Sequence, residues 1–472
     1  MHEASHDVPT AQATPAPMYP ADVHGLYRVA VDGLTAAGEA VGAVVATLRA
    51  PTVDEWQAIY GARAADTPAP TELSFVGALP GELVEVEVTW RLPRPGRKRA
   101  RHVPPPIVRL RSVIEASSVR VTPRCSVFGE CGGCQLQHMA YPAQLAWKTE
   151  RVRAALEAAG ITDPPVLAAI GCEPPWEYRN HMRFSVDREG RPGLTARGSR
   201  RVLPLAHCPI ASPRINTALG VLAHHPLPRP QALVRTGEGS GDLLIQPSPS
   251  PAVREELEAT ERASHGSPLQ VCDETLEEDL LGARFRIRPS SFFQTNTRQA
   301  TRMAGLVLDR LPRGPDVTLV DAYCGVGTFA RLMAPQARCV IAIEESASSI
   351  RDARWNLRDT PNVQIVQAKV EEELPRMTER LDALVIDPPR AGCQRPVLEA
   401  LAARSVPRVV YVSCDPDTLA RDLAYLTTGV SVGARHVPPD TRPAYRLVSV
   451  QPLDMFPQTA HVENIAVLEG IS

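Results

Sequence analysis

Lysine is almost missing from this chain: of 51 basic residues only those at positions 98, 148 and 369 are lysine. Arginine therefore carries nearly all the positive charge, which suits forked contacts to phosphate; a compositional bias in the coding DNA explains it equally well. Also missing is any run of roughly 18 apolar residues, so no membrane-crossing helix is expected. Residues 1–22 have no basic leader and no apolar stretch, and their Ala, Pro, Thr and His content reads as a disordered tail rather than a signal peptide. With nothing to support secretion, the ten cysteines do not read as a disulfide framework, and a reducing cytoplasm is expected. A net charge of −2 decides nothing about nucleic acid, because it averages over domains.

What is present divides the chain. A length of 472 residues exceeds one ordinary hydrophobic core and predicts two or three domains. Tyr27 to Leu34 and Leu83 to Trp90 alternate apolar and polar residues, predicting a small β-barrel over 23–112 with a long loop at 49–71. Arg91, Arg94, Arg97, Lys98, Arg99, Arg101, Arg109 and Arg111 follow with no acid before Glu115, a basic ribbon able to grip RNA or to stand as a solvated arm. Residues 113–290 form a central α+β domain with a helix over Tyr141 to Gly160; strands are expected at Arg179 to Val186, Val202 to Leu205 and Leu269 to Ile287. Prolines near 226–230 and 246–251 read only as loops. From 291 to 472 the pattern becomes α/β, with apolar strands at Val317 to Tyr323, Cys339 to Glu344, Val363 to Ala368, Ala383 to Asp387 and Arg408 to Ser413. Helical stretches between them predict a doubly wound parallel sheet, whose ligands sit at the carboxyl ends of its strands.

Three of those ends carry chemistry. Gly325-x-Gly327-x-x-Ala330, with Glu344 ending the next strand, fits a dinucleotide turn and fits S-adenosylmethionine equally. Asp387-Pro388-Pro389-Arg390 favours the second, because it sets a carboxylate beside a planar nitrogenous substrate, as in enzymes that methylate amino groups or bases. Cys414 then narrows the target. Pyrimidine C5 is a poor nucleophile until a thiolate adds at C6, and the helix predicted after Asp415-Pro416-Asp417 brings its N-terminus near the sulfur. Cys324 and Cys393, on the same rim, read as structural. Earlier in the chain, Cys125-x5-Cys131-x2-Cys134 and Cys208 have metal-ligand spacing, and spacing alone puts zinc ahead.

In these residues the chain resembles the RNA uracil-5 methyltransferase family, specifically its iron-sulfur branch acting on 23S ribosomal RNA. The likeness runs from about residue 24 onward and rests on the cysteine set with Gly132-Gly133 and Gln135-Leu136-Gln137-His138, Tyr178-Arg179-Asn180, Phe292-Phe293-Gln294-Thr295-Asn296, Asp321 to Thr328, Asp387 to Arg390, Ser413 to Pro416 and His461-Val462-Glu463. The resemblance implies a TRAM-like barrel, a four-iron four-sulfur (4Fe-4S) cluster on Cys125, Cys131, Cys134 and Cys208 in a central iron-sulfur and RNA-binding domain, and a class I methyltransferase domain. It implies S-adenosyl-L-methionine contacts from Gln294, Tyr323, Thr328, Glu344 and Asp387. Cys414 would be the nucleophile, Glu463 the base, and Phe292 the platform for a flipped uridine. Thr328 stands where the family often has Asn, and the interval from Cys414 to Glu463 is expanded around 432–442.

The expected enzyme is thus a cytoplasmic monomer that methylates uridine C5 in RNA, 23S rRNA before transfer RNA, with Asp387 able to accept from uracil N3–H. Two readings of other classes compete: an iron-sulfur RNA-binding protein without catalysis, and a nicotinamide-dependent enzyme. Residue types at Asp387, Cys414 and Glu463 speak against the former, and cofactor titration separates the latter.

Overall fold

The computed structural model describes residues 22–60, 69–90, 105–227, 230–265, 269–429 and 443–471. The tail up to residue 21, residues 61–68 of the expected loop, the basic ribbon from Arg91 to Arg101 and the expansion at 432–442 lie outside the described residues.

Alternation builds the first sheet. In β1 (Val23–Leu34) every second residue from Val23 to Val31 is buried, and β4 (Leu83–Trp90) buries Val84, Val86 and Val88 in the same way. With β2 (Ala40–Arg49), β3 (Glu72–Phe75) and β5 (Ile107–Glu115) they form an antiparallel sheet in the order β3-β2-β1-β4-β5. It curls until β3 and β5 come into contact. A Cβ at Gly42 would lie 2.1 Å from the Ala30 carbonyl oxygen, so only glycine lets β1 and β2 close up there. This compact unit reaches Ser118; of the basic ribbon's described part, Arg111 is paired with Glu87 at 2.8 Å.

The second unit runs from Val119 onward. Its first sheet contains β6 (His181–Val186), β7 (Pro192–Thr195), β8 (Val202–Pro204), β9 (Gln231–Thr236), β10 (Asp242–Gln246) and β11 (Gln270–Cys272), ordered β11-β10-β9-β6-β7-β8. The sequence pattern does not reveal β9 and β10. Residues 232–236 and 242–245 are buried on both faces, so alternation is lost, and flanking prolines mimic a loop. A hairpin of β12 (Leu276–Leu280) and β13 (Ala283–Ile287) leads into the last domain.

There β14 (Thr318–Ala322), β15 (Cys339–Glu344), β16 (Val363–Gln367), β17 (Ala383–Ile386) and β18 (Arg408–Ser413) form the expected parallel sheet in the order β16-β15-β14-β17-β18. Beyond β18 the sheet turns antiparallel through β20 (Glu463–Gly470) and β19 (Tyr445–Leu453), an addition that strand-helix alternation does not disclose. Apolar layers cover both faces: Val152 and Leu156 pack with Val409 and Tyr411 on one side, and Met303 and Val307 with Val385 and Val410 on the other.

The helix Tyr141–Ala158 buries Gln144, Lys148, Val152 and Leu156, four apart and therefore on one stripe. Two of the four are polar and are satisfied by the segment before β20. Lys148 Nζ donates to Asp454 Oδ1 at 2.5 Å and to the Phe456 carbonyl at 3.2 Å, while Gln144 Nε2 donates to Gln458 Oε1 at 3.0 Å. Arg151 donates to the Ala460 carbonyl at 3.0 Å. The helix thereby straps residues 454–460 in place just ahead of Glu463.

Candidate active site

Strand order reverses between β14 and β17, so a crevice opens at their carboxyl ends. Gly327, at φ +85°, starts the helix Thr328–Met333; a Cβ there would lie 2.9 Å from Leu357 Cδ1. Asp321 Oδ2 accepts from the Ala330 N–H at 2.7 Å and fixes the turn from inside; burial pushes this carboxyl up to about 8. Tyr323 sits at φ +63°, a left-handed conformation uncommon for a residue with a side chain, and one that often marks a functional turn. Gln294, Tyr323, Thr328 and Asp387, four of the five expected cofactor contacts, line one narrow cavity of about 60 Å³ together with Phe292. Glu344 stands behind it, accepting from Gly325 N–H at 3.0 Å and Ser346 N–H at 2.7 Å. Phe292 is 69% exposed, unusual for a large apolar side chain at a crevice.

Cys414 follows β18 and precedes Asp415, whose carboxylate accepts from the N–H groups of Asp417 and Thr418 at 3.1 Å and caps the helix Pro416–Thr428. Glu463 opens β20. The two strands run antiparallel with Val412 opposite Ile465 and Ser413 opposite Asn464, so the next positions in register are Cys414 and Glu463. The long chain interval between them is closed by strand pairing. Burial, then Glu463, pushes the Cys414 thiol up to about 11 against the pull of Arg390, so the helix N-terminus does not by itself yield a thiolate. Glu463 is buried and held well above the usual carboxylate range, first by burial and then by Asp387; burial also lifts Asp387 to about 7. Cys324 and Cys393 are buried.

The other four cysteines meet elsewhere. Cys125, Cys131, Cys134 and Cys208 line a single cavity of about 180 Å³ with Phe128, Met182, Leu194, Arg179 and Arg183. Among the described residues no three His, Cys, Asp or Glu gather closely enough to hold one metal ion. Tetrahedral zinc requires sulfurs about 2.3 Å from one centre, whereas four thiols spread around a cavity of this size suit a larger group.

A family model described as tRNA (uracil-5-)-methyltransferase matches residues 269–469. Named an uncharacterized RNA methyltransferase, a protein of Thermosynechococcus vestitus is 37% identical over 404 residues, covering 75% of this chain and 86% of its own. A second of that name, from Gloeobacter violaceus, is 34% identical over 442 residues, covering 84% and 91%. The chain belongs to the RNA uracil-5 methyltransferase family. The solved structure of Pyrococcus abyssi tRNA (uracil-54, C5)-methyltransferase with S-adenosyl-L-homocysteine covers 93% of this chain and all of its own at a TM-score of 0.62; at 19% identity it shows a shared fold.

In this methyltransferase the sequence reading left two side chains without a part. Arg390 donates to His461 Nδ1 at 3.0 Å, and its positive charge opposes the rise at both Cys414 and Glu463. Burial, then Arg390, lowers His461 to about 4, so at neutral pH the ring is an uncharged acceptor. Both belong to motifs visible in the sequence, but only strand pairing reveals that they meet. The Lys148–Asp454 pair was equally hidden, its one clue being a lysine in a chain that otherwise uses arginine.

Proposed function

We propose that this methyltransferase acts on C5 of uridine in RNA through a covalent adduct between Cys414 and C6. The observation that carries the reading is the register of β18 against β20, which sets Cys414 opposite Glu463, with Asp387 close enough to act on both. Gln294, Tyr323, Thr328, Glu344 and Asp387 would hold S-adenosylmethionine in the crevice, where it would supply the methyl group and a positive charge. The cavity that four of these five residues line is well below the roughly 300–1,000 Å³ of ordinary ligand sites, so binding would require it to widen.

Phe292 offers a stacking face worth ~1–3 kcal/mol to a uracil that has left its stack, against a flipping cost of a few kcal/mol. Asp387 accepts from N3–H, where cytosine has only a lone pair. Once the Cys414 thiol has lost its proton to solvent water, Sγ bonds to C6, sending the C5–C6 electron pair onto C5 and O4. C5 then takes the methyl group, leaving a neutral thioether on the donor. The Glu463 carboxylate removes the C5 proton, the C6–S bond breaks and the thiolate returns. A positively charged donor beside Cys414, Asp387 and Glu463 would favour their ionised forms, against the effect of burial.

Cys125, Cys131, Cys134 and Cys208 would hold the 4Fe-4S cluster, and the size of their cavity supports this over zinc. A cluster there orders the central domain; no step of the reaction uses it. The curled N-terminal sheet fits a TRAM-like RNA grip, and cysteines without disulfides fit a reducing cytoplasm. The cysteine set favours 23S rRNA as substrate; transfer RNA is the second reading, favoured by the description of the matching family model. Mass mapping of both RNAs from cells lacking the protein decides between them. For the chemistry, Glu463→Gln should slow turnover by roughly 10²–10⁴-fold and trap the RNA–protein adduct as a retarded gel band. Clean turnover without an adduct would sink the assignment.

A further inference from the structure

The central sheet carries an opening that the reaction scheme does not use. Arg183 of β6 pairs with Leu233 of β9, which pairs in turn with Gln246 of β10. Residues paired across strands project from the same face, so these three stand in a row. With Gln231, Ser248 and the stretch Arg288-Pro289-Ser290 they line an open groove of about 780 Å³.

Its chemistry is one-sided. No Asp or Glu lines the groove, whereas two arginines, two glutamines and two serines do. Arg183 is exposed and has no carboxylate partner among the described residues. Arg288 is fixed differently, by an ion pair to buried Asp352 that also accepts from its backbone N–H at 3.0 Å. The Arg183 guanidinium beside amide and hydroxyl groups is complementary to an anionic polymer whose bases offer hydrogen-bonding edges. The volume is that of a pocket for a drug-sized organic molecule, enough for a nucleotide and part of its neighbour.

Its position points the same way. Ser290 lies two residues before Phe292, a reach of at most ~7 Å, and four before Gln294 in the catalytic cavity. Arg235, fully buried, donates to the Ser291 carbonyl at 3.1 Å and holds the joining strip between the two openings. We propose that this groove binds the RNA nucleotides flanking the target uridine, Arg183 taking a backbone phosphate while Gln231 and Gln246 meet base edges. The proposal rests on the reading that Phe292 receives the target base. It adds a second RNA contact surface, on β6, β9 and β10.

Arg183 also lines the cysteine cavity, so the two openings share a wall. The test therefore needs a variant away from the cysteines. Full-length wild type, Arg183→Glu and Ser248→Trp, which fills the groove, are titrated into a fluorescein-labelled single-stranded oligouridylate at several salt concentrations. Both variants should bind about tenfold more weakly, and Arg183→Ala should flatten the log-affinity against log-salt slope by about 0.7, the value for one phosphate contact on a single strand. Iron content and S-adenosylhomocysteine affinity should match wild type in Ser248→Trp, which separates a blocked groove from a damaged domain. Wild-type affinity and slope in both Arg183→Glu and Ser248→Trp would overturn the proposal. Its failure is distinct from failure of the catalytic reading: in that case wild-type enzyme would release no C5 tritium from labelled RNA, whatever the groove variants bind.

Discussion

Cys131, Cys134 and Cys208 in one region of this molecule and Cys414 in another are all raised by burial, yet their charged neighbours differ. Cys125, Cys131, Cys134 and Cys208 share a cavity with Arg179 and Arg183 and no carboxylate, whereas Cys414 stands among Glu463, Asp387 and Asp415 with Arg390 opposing them. The proposed iron-sulfur core with its four thiolates would carry net negative charge, and Arg179 and Arg183 at the wall would favour it. Burial first, and then Glu463, Asp387 and Asp415, hold the Cys414 thiol neutral, and a sulfonium donor in that crevice would work against them. On the proposed function the same side chain serves an anionic group in one region and a cationic donor in the other. What surrounds a cysteine, and not its burial, separates the two roles.

Replacing Cys414 by Ala tests the comparison where the effect is largest. Transfer of labelled methyl groups to RNA should fall by roughly 10⁴-fold or more, while iron content and S-adenosylhomocysteine affinity stay at wild-type values. Retained turnover would remove the reason for treating this thiol as different. The reciprocal change, Cys134→Ser, should strip most of the iron and the visible absorption from anaerobically purified protein and lower its melting temperature. Adduct formation by Cys414 should persist in the Cys134→Ser, Glu463→Gln double variant. An iron content equal to wild type would show that Cys134 is no ligand.

These two regions were not equally legible in the sequence. Three of the four cysteines lie within ten residues, so local spacing announced them, and the family likeness assigned the more distant Cys208 to the same group. At the catalytic rim, strand ends predicted Asp321, Glu344, Asp387 and Cys414, because a parallel strand's carboxyl end can be read from its own apolar run. Glu463 could not be found that way. Its position depends on β20 reversing direction and pairing with β18, a long-range choice that no local pattern encodes. The same limit hid β9 and β10, where burial on both faces erased alternation, and the Lys148–Asp454 pair, whose partners are 306 residues apart.

The smallest expected effect concerns the acidic half of the comparison without touching the reacting atoms. Asp321 is fully buried, its Oδ2 accepts from Ala330 N–H, and its Oδ1 is buried with no hydrogen-bond partner, which explains a carboxyl raised to about 8. Unfolded, the same group titrates at about 3.9. Between those values the native state binds more protons than the unfolded state, so this residue's contribution to stability is complete below about pH 4 and is lost as pH rises through about 8. Asn at this position keeps an acceptor for Ala330 N–H and carries no titrating proton. Melting curves of the unliganded protein should therefore fall less steeply for Asp321→Asn than for wild type between about pH 5 and pH 8, with the variant's relative gain greatest at the upper end. Asp387 and Glu463, raised in the same sense, are present in both proteins, so the difference between the two curves reports Asp321 together with its coupling to Asp387. Parallel curves would mean that Asp321 is ionised in the native state, and the crevice would then hold a negative charge that its neighbours Asp387 and Glu344 must accommodate even without a bound cation.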